Sequence, residues 1–237
     1  MNTIILSPSD FIGPAQARLI GRRAEHLCNV LKVEVGHRLS VGQLNGQLGE
    51  ASVTAIGADF VDVTVAHLGQ PSPASLPATL ILGLPRPRML QRSLQTIATM
   101  GVQKLCLIHS ARAEKSFWQT PLLKPEAIHE QLILGLEQAK ATQLPIIEYC
   151  TSWREFIDQW LPGQLPQHTH KILAHPGDYP AAQPLPAGRS LIAIGPEGGF
   201  IESEVTTLSN LGFNKVSLGD RILRVETAVP VILAKLF

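Results

Sequence analysis

The stretch Ile192-Ala193-Ile194-Gly195-Pro196-Glu197-Gly198-Gly199-Phe200 and its sequel Leu218-Gly219-Asp220-Arg221-Ile222-Leu223-Arg224-Val225-Glu226-Thr227-Ala228 decide the fold of this chain. In the first, a short apolar run typical of a buried strand meets a loop whose glycines allow backbone angles and close approaches that a Cβ would forbid. The second repeats the plan, with Val216 and Leu218 in the strand and a polar loop opening a helix.

Outward from these junctions, apolar strands alternate with amphipathic helices. Leu80-Ile81-Leu82 leads into a helix from Met89 to Met100, and Leu105-Cys106-Leu107-Ile108 is the next strand. Pro125 to Ala139 reads as a helix with Ile128, Leu132, Leu136 and Ala139 on one stripe and a proline suited to its first turn. Ile172-Leu173-Ala174 is a further strand, running into His175-Pro176-Gly177. The last helix, from Thr227 to Leu236, packs Val229, Ile232, Leu233 and Leu236 and carries Pro230 in its first turn. This βα alternation predicts an α/β fold with a mainly parallel sheet covered on both faces. Ligands of such sheets lie off the carboxyl ends of the strands, so the residues after Ala174, Ile194 and Leu218 should surround one pocket.

The segment from Leu68 to Pro77 has no periodic apolar pattern and marks a domain boundary, giving a domain over 1–70 and another over 78–237. In the first, alternating segments such as Gly49 to Ile56 and Phe60 to Val65, punctuated by Gly42, Gly46 and Gly57, predict antiparallel hairpins. One helix, from Arg22 to Val30, interrupts a small β-barrel.

The 237 residues are 45% hydrophobic but contain no uninterrupted membrane-spanning run, and the start MNTIILSPSDF lacks the basic and long apolar parts of a signal peptide. A cytoplasmic protein without a membrane partner is expected. Cys28, Cys106 and Cys150 lack CxxC spacing, which argues against a disulfide framework and a zinc knuckle. The net charge of +1 decides nothing about nucleic acid, but its distribution does. From Val63 to Ala113 there is no Asp or Glu, while Arg86, Arg88, Arg92, Lys104 and Arg112 fall in that interval. On composition alone it reads equally well as a solvated helix face with a neutral linker or as an RNA-facing surface.

The two junctions together closely resemble the late motifs of the ribosomal RNA small subunit methyltransferase E family, knotted SPOUT-type enzymes whose pattern runs GPEGG, an acidic helix start, then LG-x-RILR-x-ETA. The resemblance implies a SPOUT-type parallel sheet with a C-terminal trefoil knot, preceded by a PUA-like RNA-binding barrel. It also implies a homodimer. His26-Leu27 followed by Val30-Leu31-Lys32 is similar to the family's HL-x-x-VLR segment, which makes His26 and Lys32 candidate RNA contacts; alone, they read equally well as surface residues.

By the same resemblance, S-adenosylmethionine would be surrounded by His175, Gly195, Pro196, Glu197, Gly198, Gly199, Leu218, Gly219, Ile222, Leu223, Arg224, Thr227 and Ala228. Backbone groups would read the adenine edge, with Leu218, Ile222 and Leu223 packing on its faces. In isolation, Gly195–Gly199 reads as a tight turn that needs no ligand; the Arg221–Ala228 string decides for the pocket. The family methylates N3 of a uridine in small-subunit 16S ribosomal RNA, an atom that becomes nucleophilic only as its proton leaves. Arg224 is the candidate for stabilising charge on the uracil oxygens, because a guanidinium stays charged and donates in a fixed fork. Glu197 and Glu226 are candidates for the general base, or else simply orient arginines. A uracil paired in RNA hides N3 and must be unpaired or extracted.

His168 and His170 lack further ligands at metal spacing and are expected in a solvated loop, with no metal. Phe117 and Trp118 are either packing aromatics or a stacking surface for a base. The chain departs from the family where a lysine and a glutamate are usual, with Thr96 and Thr99 instead, and where EQ-x-x-R becomes Glu137-Gln138-Ala139-Lys140. These changes leave room for another base, a ribose hydroxyl, or a noncatalytic RNA-binding role.

Overall fold

A computed structural model describes residues 2–237. The chain divides into two compact units, one made of the residues up to Ala74 together with Ile133–Leu144, the other of Ser75–Leu132 and Pro145–Phe237.

In the first unit, β1 (Ile4–Leu6), β2 (Gln16–Ile20), β3 (Arg38–Gln43), β4 (Leu48–Ile56) and β5 (Phe60–Gln70) form one sheet in the order β1-β3-β4-β5-β2. Its inward residues, among them Leu6, Leu19, Val41, Val53, Val61 and Val63, make one core with Leu27. The pairing is mixed, because β1 runs parallel to β3 while the hairpins are antiparallel. Three register shifts along the β4–β5 ladder bend the sheet, as bulges do, and fit a barrel-type domain. The expected helix is only four residues of α-helix, α1 (Arg22–Glu25), continued by a π-helical turn over His26–Leu31. Lys32, left-handed at φ 50°, then ends it.

In the second unit, six strands lie in the order β11-β9-β10-β6-β7-β8: β6 (Leu76–Gly83), β7 (Val102–Ile108), β8 (Ile146–Cys150), β9 (His170–Ala174), β10 (Ser190–Ile194) and β11 (Asn214–Val216). Every neighbouring pair is parallel. All five residues of β10 are buried, as a central strand covered on both faces requires. Helix α2 (Pro87–Thr99) follows β6, and α3 (Pro125–Ala139) follows β7, its residues from Ile133 onward belonging to the first unit. Short turns α4 (Trp153–Glu155) and α5 (Leu161–Gln164) precede β9. Helix α6 (Glu202–Asn210) joins β10 to β11, and α7 (Val225–Leu236) ends the chain and packs on α2.

Four expectations need correction. Residues 68–70 extend β5 and Leu76 begins β6, so the connection is shorter than its composition suggested. Leu218 lies beyond β11, which stops at Val216. Helix α7 begins at Val225, which places Pro230 in its interior, where it removes the N–H that would bond the Glu226 carbonyl. His168 is buried and bonded through Nε2 to Thr79 Oγ1 at 2.9 Å and through Nδ1 to the Gln164 carbonyl at 2.8 Å, so it is a core residue, not a solvated one. Among the described residues, no helix is long and apolar enough to cross a membrane.

Candidate functional site at the strand ends

The chain turns immediately after β10. A Cβ on Gly195 would stand 2.8 Å from the Phe200 nitrogen and 2.9 Å from the Gly199 carbonyl carbon, so the turn closes only around glycine. Gly83, at the end of the neighbouring β6, is equally constrained: a Cβ there would stand 2.5 Å from Pro196 Cδ. Gly199 has φ +70° and donates to the Pro196 carbonyl at 2.7 Å. A Cβ at Gly199 would meet nothing within 4 Å, so that face of the loop is bare and open. Phe200 is buried in the core beside Trp153, with ring centroids 6.0 Å apart.

Three residues hold this loop in place. Glu197 is exposed and its Oε1 accepts from the Arg86 backbone N–H at 2.9 Å, at the start of α2. Arg112 donates from its guanidinium to the Gly198 carbonyl. Buried Glu204 accepts from the Ala111 N–H at 2.8 Å and from the Ile201 N–H at 3.0 Å, tying the segment after β7 to the start of α6. Sequence reading passed over Glu204. Its signal was an acidic side chain at the third helical position, where it reaches back to satisfy an otherwise orphaned N–H.

The second loop is held more lightly. Ser217 Oγ accepts from the Gly219 N–H at 3.1 Å, and Gly219, at φ +127°, has open space where a Cβ would be. Leu218 and Leu223 are half-buried, while Ile222 is 84% exposed. Arg224 caps α7 with its backbone: its carbonyl accepts from Thr227 and Ala228 at 2.9 and 2.8 Å, and its side chain is exposed. Thr227 is exposed and Ala228 buried on the first turn. Glu226 is 11% exposed; one of its oxygens lies 3.9 Å from Arg92 of α2, and Oε2 is buried without a hydrogen-bond partner.

His175 leaves the end of β9, the strand between β10 and β11, with its N–H donating to the Val216 carbonyl at 3.2 Å. Burial holds its imidazole below the usual histidine range; Glu202 opposes this, while Lys215 and Arg112 reinforce it. His175 thus feels charges from α6, β11 and the segment after β7 together. Lys215 lies over the Tyr179 ring at 4.7 Å, and Tyr179 packs against His175.

A profile described as the RNA methyltransferase domain matches residues 72–236. A ribosomal RNA small subunit methyltransferase E from Treponema pallidum is 31% identical over 96% of this chain and 87% of its own length. The chain belongs to the ribosomal RNA small subunit methyltransferase E family. A similar protein from Borreliella burgdorferi is 24% identical over 96% of this chain and 94% of its length. The fold of this chain is shared with the crystal structure of a Neisseria gonorrhoeae member bound to S-adenosyl methionine, at a TM-score of 0.75, 24% identity and coverage of 99% and 95% of the two chains.

The remaining RNA-contact candidates of this family member, apart from the aromatics, fall into two groups. Arg86, Arg88 and Arg92 are exposed along the first turns of α2. His26 and Lys32 belong to the other unit, where burial lowers the pKa of His26 and leaves its Nε2 without a partner. Trp118 is half-buried and donates from Nε1 to His109 Nδ1 at 2.9 Å, which fixes the His109 tautomer with its proton on Nε2. Phe117 is also half-buried. Thr96 is half-buried on α2, whose Gln91 and Gln95 both donate to Gln131 of α3.

Proposed function

We propose that the chain is an S-adenosylmethionine-dependent methyltransferase acting on N3 of a uridine in small-subunit 16S ribosomal RNA. In this reading the second unit is a SPOUT-type sheet with a C-terminal trefoil knot, the first a PUA-like RNA-binding barrel, and the protein a cytoplasmic homodimer. The observation that carries the reading is the pair of bare loops at the ends of β10 and β11, on either side of β9 and His175. Family membership and the donor bound to the Neisseria relative support it.

The residues present fit such a donor. An adenosine needs exposed backbone groups and apolar walls; Gly199 and Gly219 leave space where side chains would stand, and Ile222 is an apolar side chain almost without cover. Gly195–Gly199, Leu218, Gly219, Ile222, Leu223 and His175 would hold it. When bound, S-adenosylmethionine supplies a methyl group from its sulfonium, which leaves as a neutral thioether.

Arg224 is the electrostatic partner of the uracil oxygens as N3 loses its proton and gains the methyl carbon. Its guanidinium forms no ion pair among the described residues and extends from the start of α7. The N3 proton passes to a carboxylate, and the two candidates differ: Glu197 already accepts from Arg86, while Glu226 keeps one oxygen without a donor. Glu197 is thereby the anchor of its loop, and Glu226 is the candidate left without a donor, able to take the proton only where its covered oxygen is opened to the substrate. Nucleoside mass spectrometry of small-subunit RNA from a deletion strain tests the reading. Loss of 3-methyluridine is expected; an unchanged level excludes this substrate atom. Loss of another methylated nucleoside would instead favour the altered target that Thr96, Thr99 and Lys140 suggest.

A further inference from the structure

Arg112 stands where the basic segment meets the first glycine loop. Its stem lies across the bare α-carbon of Gly198, so that a Cβ there would come within 3.1 Å of Arg112 Cδ and 3.2 Å of Arg112 Cβ. The guanidinium donates to the Gly198 carbonyl, and among the described residues no carboxylate pairs with it. A guanidinium carries several N–H donors in a rigid fork, so one edge is used and the other is free. The backbone beneath is fixed, because the neighbouring Ala111 N–H is held by buried Glu204. Arg86, by contrast, touches the loop through its main chain alone.

The geometry points to Arg112 as a coupling residue: the free edge of its guanidinium binds a phosphate of the RNA while the other edge holds Gly198. RNA engagement then steadies the loop that receives the methyl donor. This inference rests on the methyltransferase reading above. A single exposed bond to a carbonyl does not by itself hold a long, flexible side chain in one conformation. A phosphate on the free edge adds a charge-assisted contact that orients the whole fork. Linkage makes the effect reciprocal, with RNA tightening donor binding and donor tightening RNA binding by one factor. A mere docking arginine would alter RNA affinity alone. A mere structural arginine would alter donor affinity equally with and without RNA.

The test measures binding of S-adenosylhomocysteine, an unreactive probe, to the full-length protein by equilibrium dialysis. It is run alone and with saturating small ribosomal subunits from a strain lacking this gene. The wild-type protein is expected to bind the probe about tenfold more tightly with subunits present. In Arg112→Ala and Arg112→Lys that factor should shrink to about twofold or less, and the lysine variant should keep the wild-type salt dependence of RNA binding because its charge is retained. Gly198→Ala should reduce the factor, since its methyl group pushes the arginine stem aside by a few tenths of an ångström. Arg88→Ala should weaken RNA binding and keep the factor. Equal probe affinity with and without subunits in the wild type overturns the coupling and leaves the methyltransferase reading intact, as does a full factor in both Arg112 variants. No probe binding under either condition overturns the methyltransferase reading and the coupling with it.

Discussion

The two glycine loops look alike in sequence and differ in how they are held. The loop after β10 is fastened by Glu197, Arg112 and Glu204 and anchored by buried Phe200. The loop after β11 is secured at its two ends, by the Ser217–Gly219 bond and by the Arg224 carbonyl, with Ile222 projecting into solvent between them. The first is fixed by several partners except at Gly198, whose hold is the single Arg112 bond. The second presents apolar side chains with little cover, which the methyl donor covers in the proposed function.

The comparison is broken most severely at Arg224, whose proposed role belongs to the second loop's chemistry and not to its stability. Arg224→Ala should lower turnover by about 10²–10³-fold while RNA affinity and thermal midpoint change little. Comparable losses in RNA affinity and turnover would make it a docking residue.

For the first loop the expected loss is in the fold itself. Gly195→Ala forces a methyl group against the backbone of Gly199 and Phe200 and should destabilise the protein by about 1–3 kcal/mol, read from urea unfolding. Glu204→Gln leaves one of two backbone N–H groups facing an amide NH₂. It should cost about 1–3 kcal/mol, with weaker donor binding as the loop loosens. The reverse holds for Ile222→Ala. Stability should stay within about 0.5 kcal/mol, as for other surface substitutions, while donor affinity falls by roughly tenfold through lost apolar burial. A large stability loss at Ile222 would show that the second loop is packed like the first.

The mildest effect is on acid stability. Burial holds His26, His168 and His175 below the ordinary histidine range. Each resists a proton that the unfolded chain takes up below about pH 6.5. Their contribution is therefore fully present above that pH and is lost as pH falls towards the folded values, so the urea midpoint should drop between pH 7.5 and 5.5. His168→Gln should flatten that drop, because its buried ring is the one enclosed between two hydrogen-bond partners.

Much of this architecture is legible in the chain, for reasons that differ by element. Strands β6, β7, β9 and β10 are continuous apolar runs because both faces of a parallel sheet are covered, and α3 shows its stripe and its leading proline. Strand β8 was not expected: as an edge strand it exposes Ile146 and Tyr149, which blurs the apolar run. The end of α7 was placed correctly and its start was not, since Pro230 suggests a first turn and only the Arg224 carbonyl bonds locate the true one.

By itself the sequence determined the α/β class, the two glycine loops and the residue types they offer, because periodicity and glycine placement are local properties of a chain. Tertiary structure decided what those residues do. Gly195 is required for a backbone contact, Gly198 seats Arg112, and Gly199 faces open space. Glu197 is engaged and Glu226 keeps a free oxygen. These distinctions arise from partners such as Arg86, Ala111 and Arg112, far away along the chain, and no local pattern encodes them.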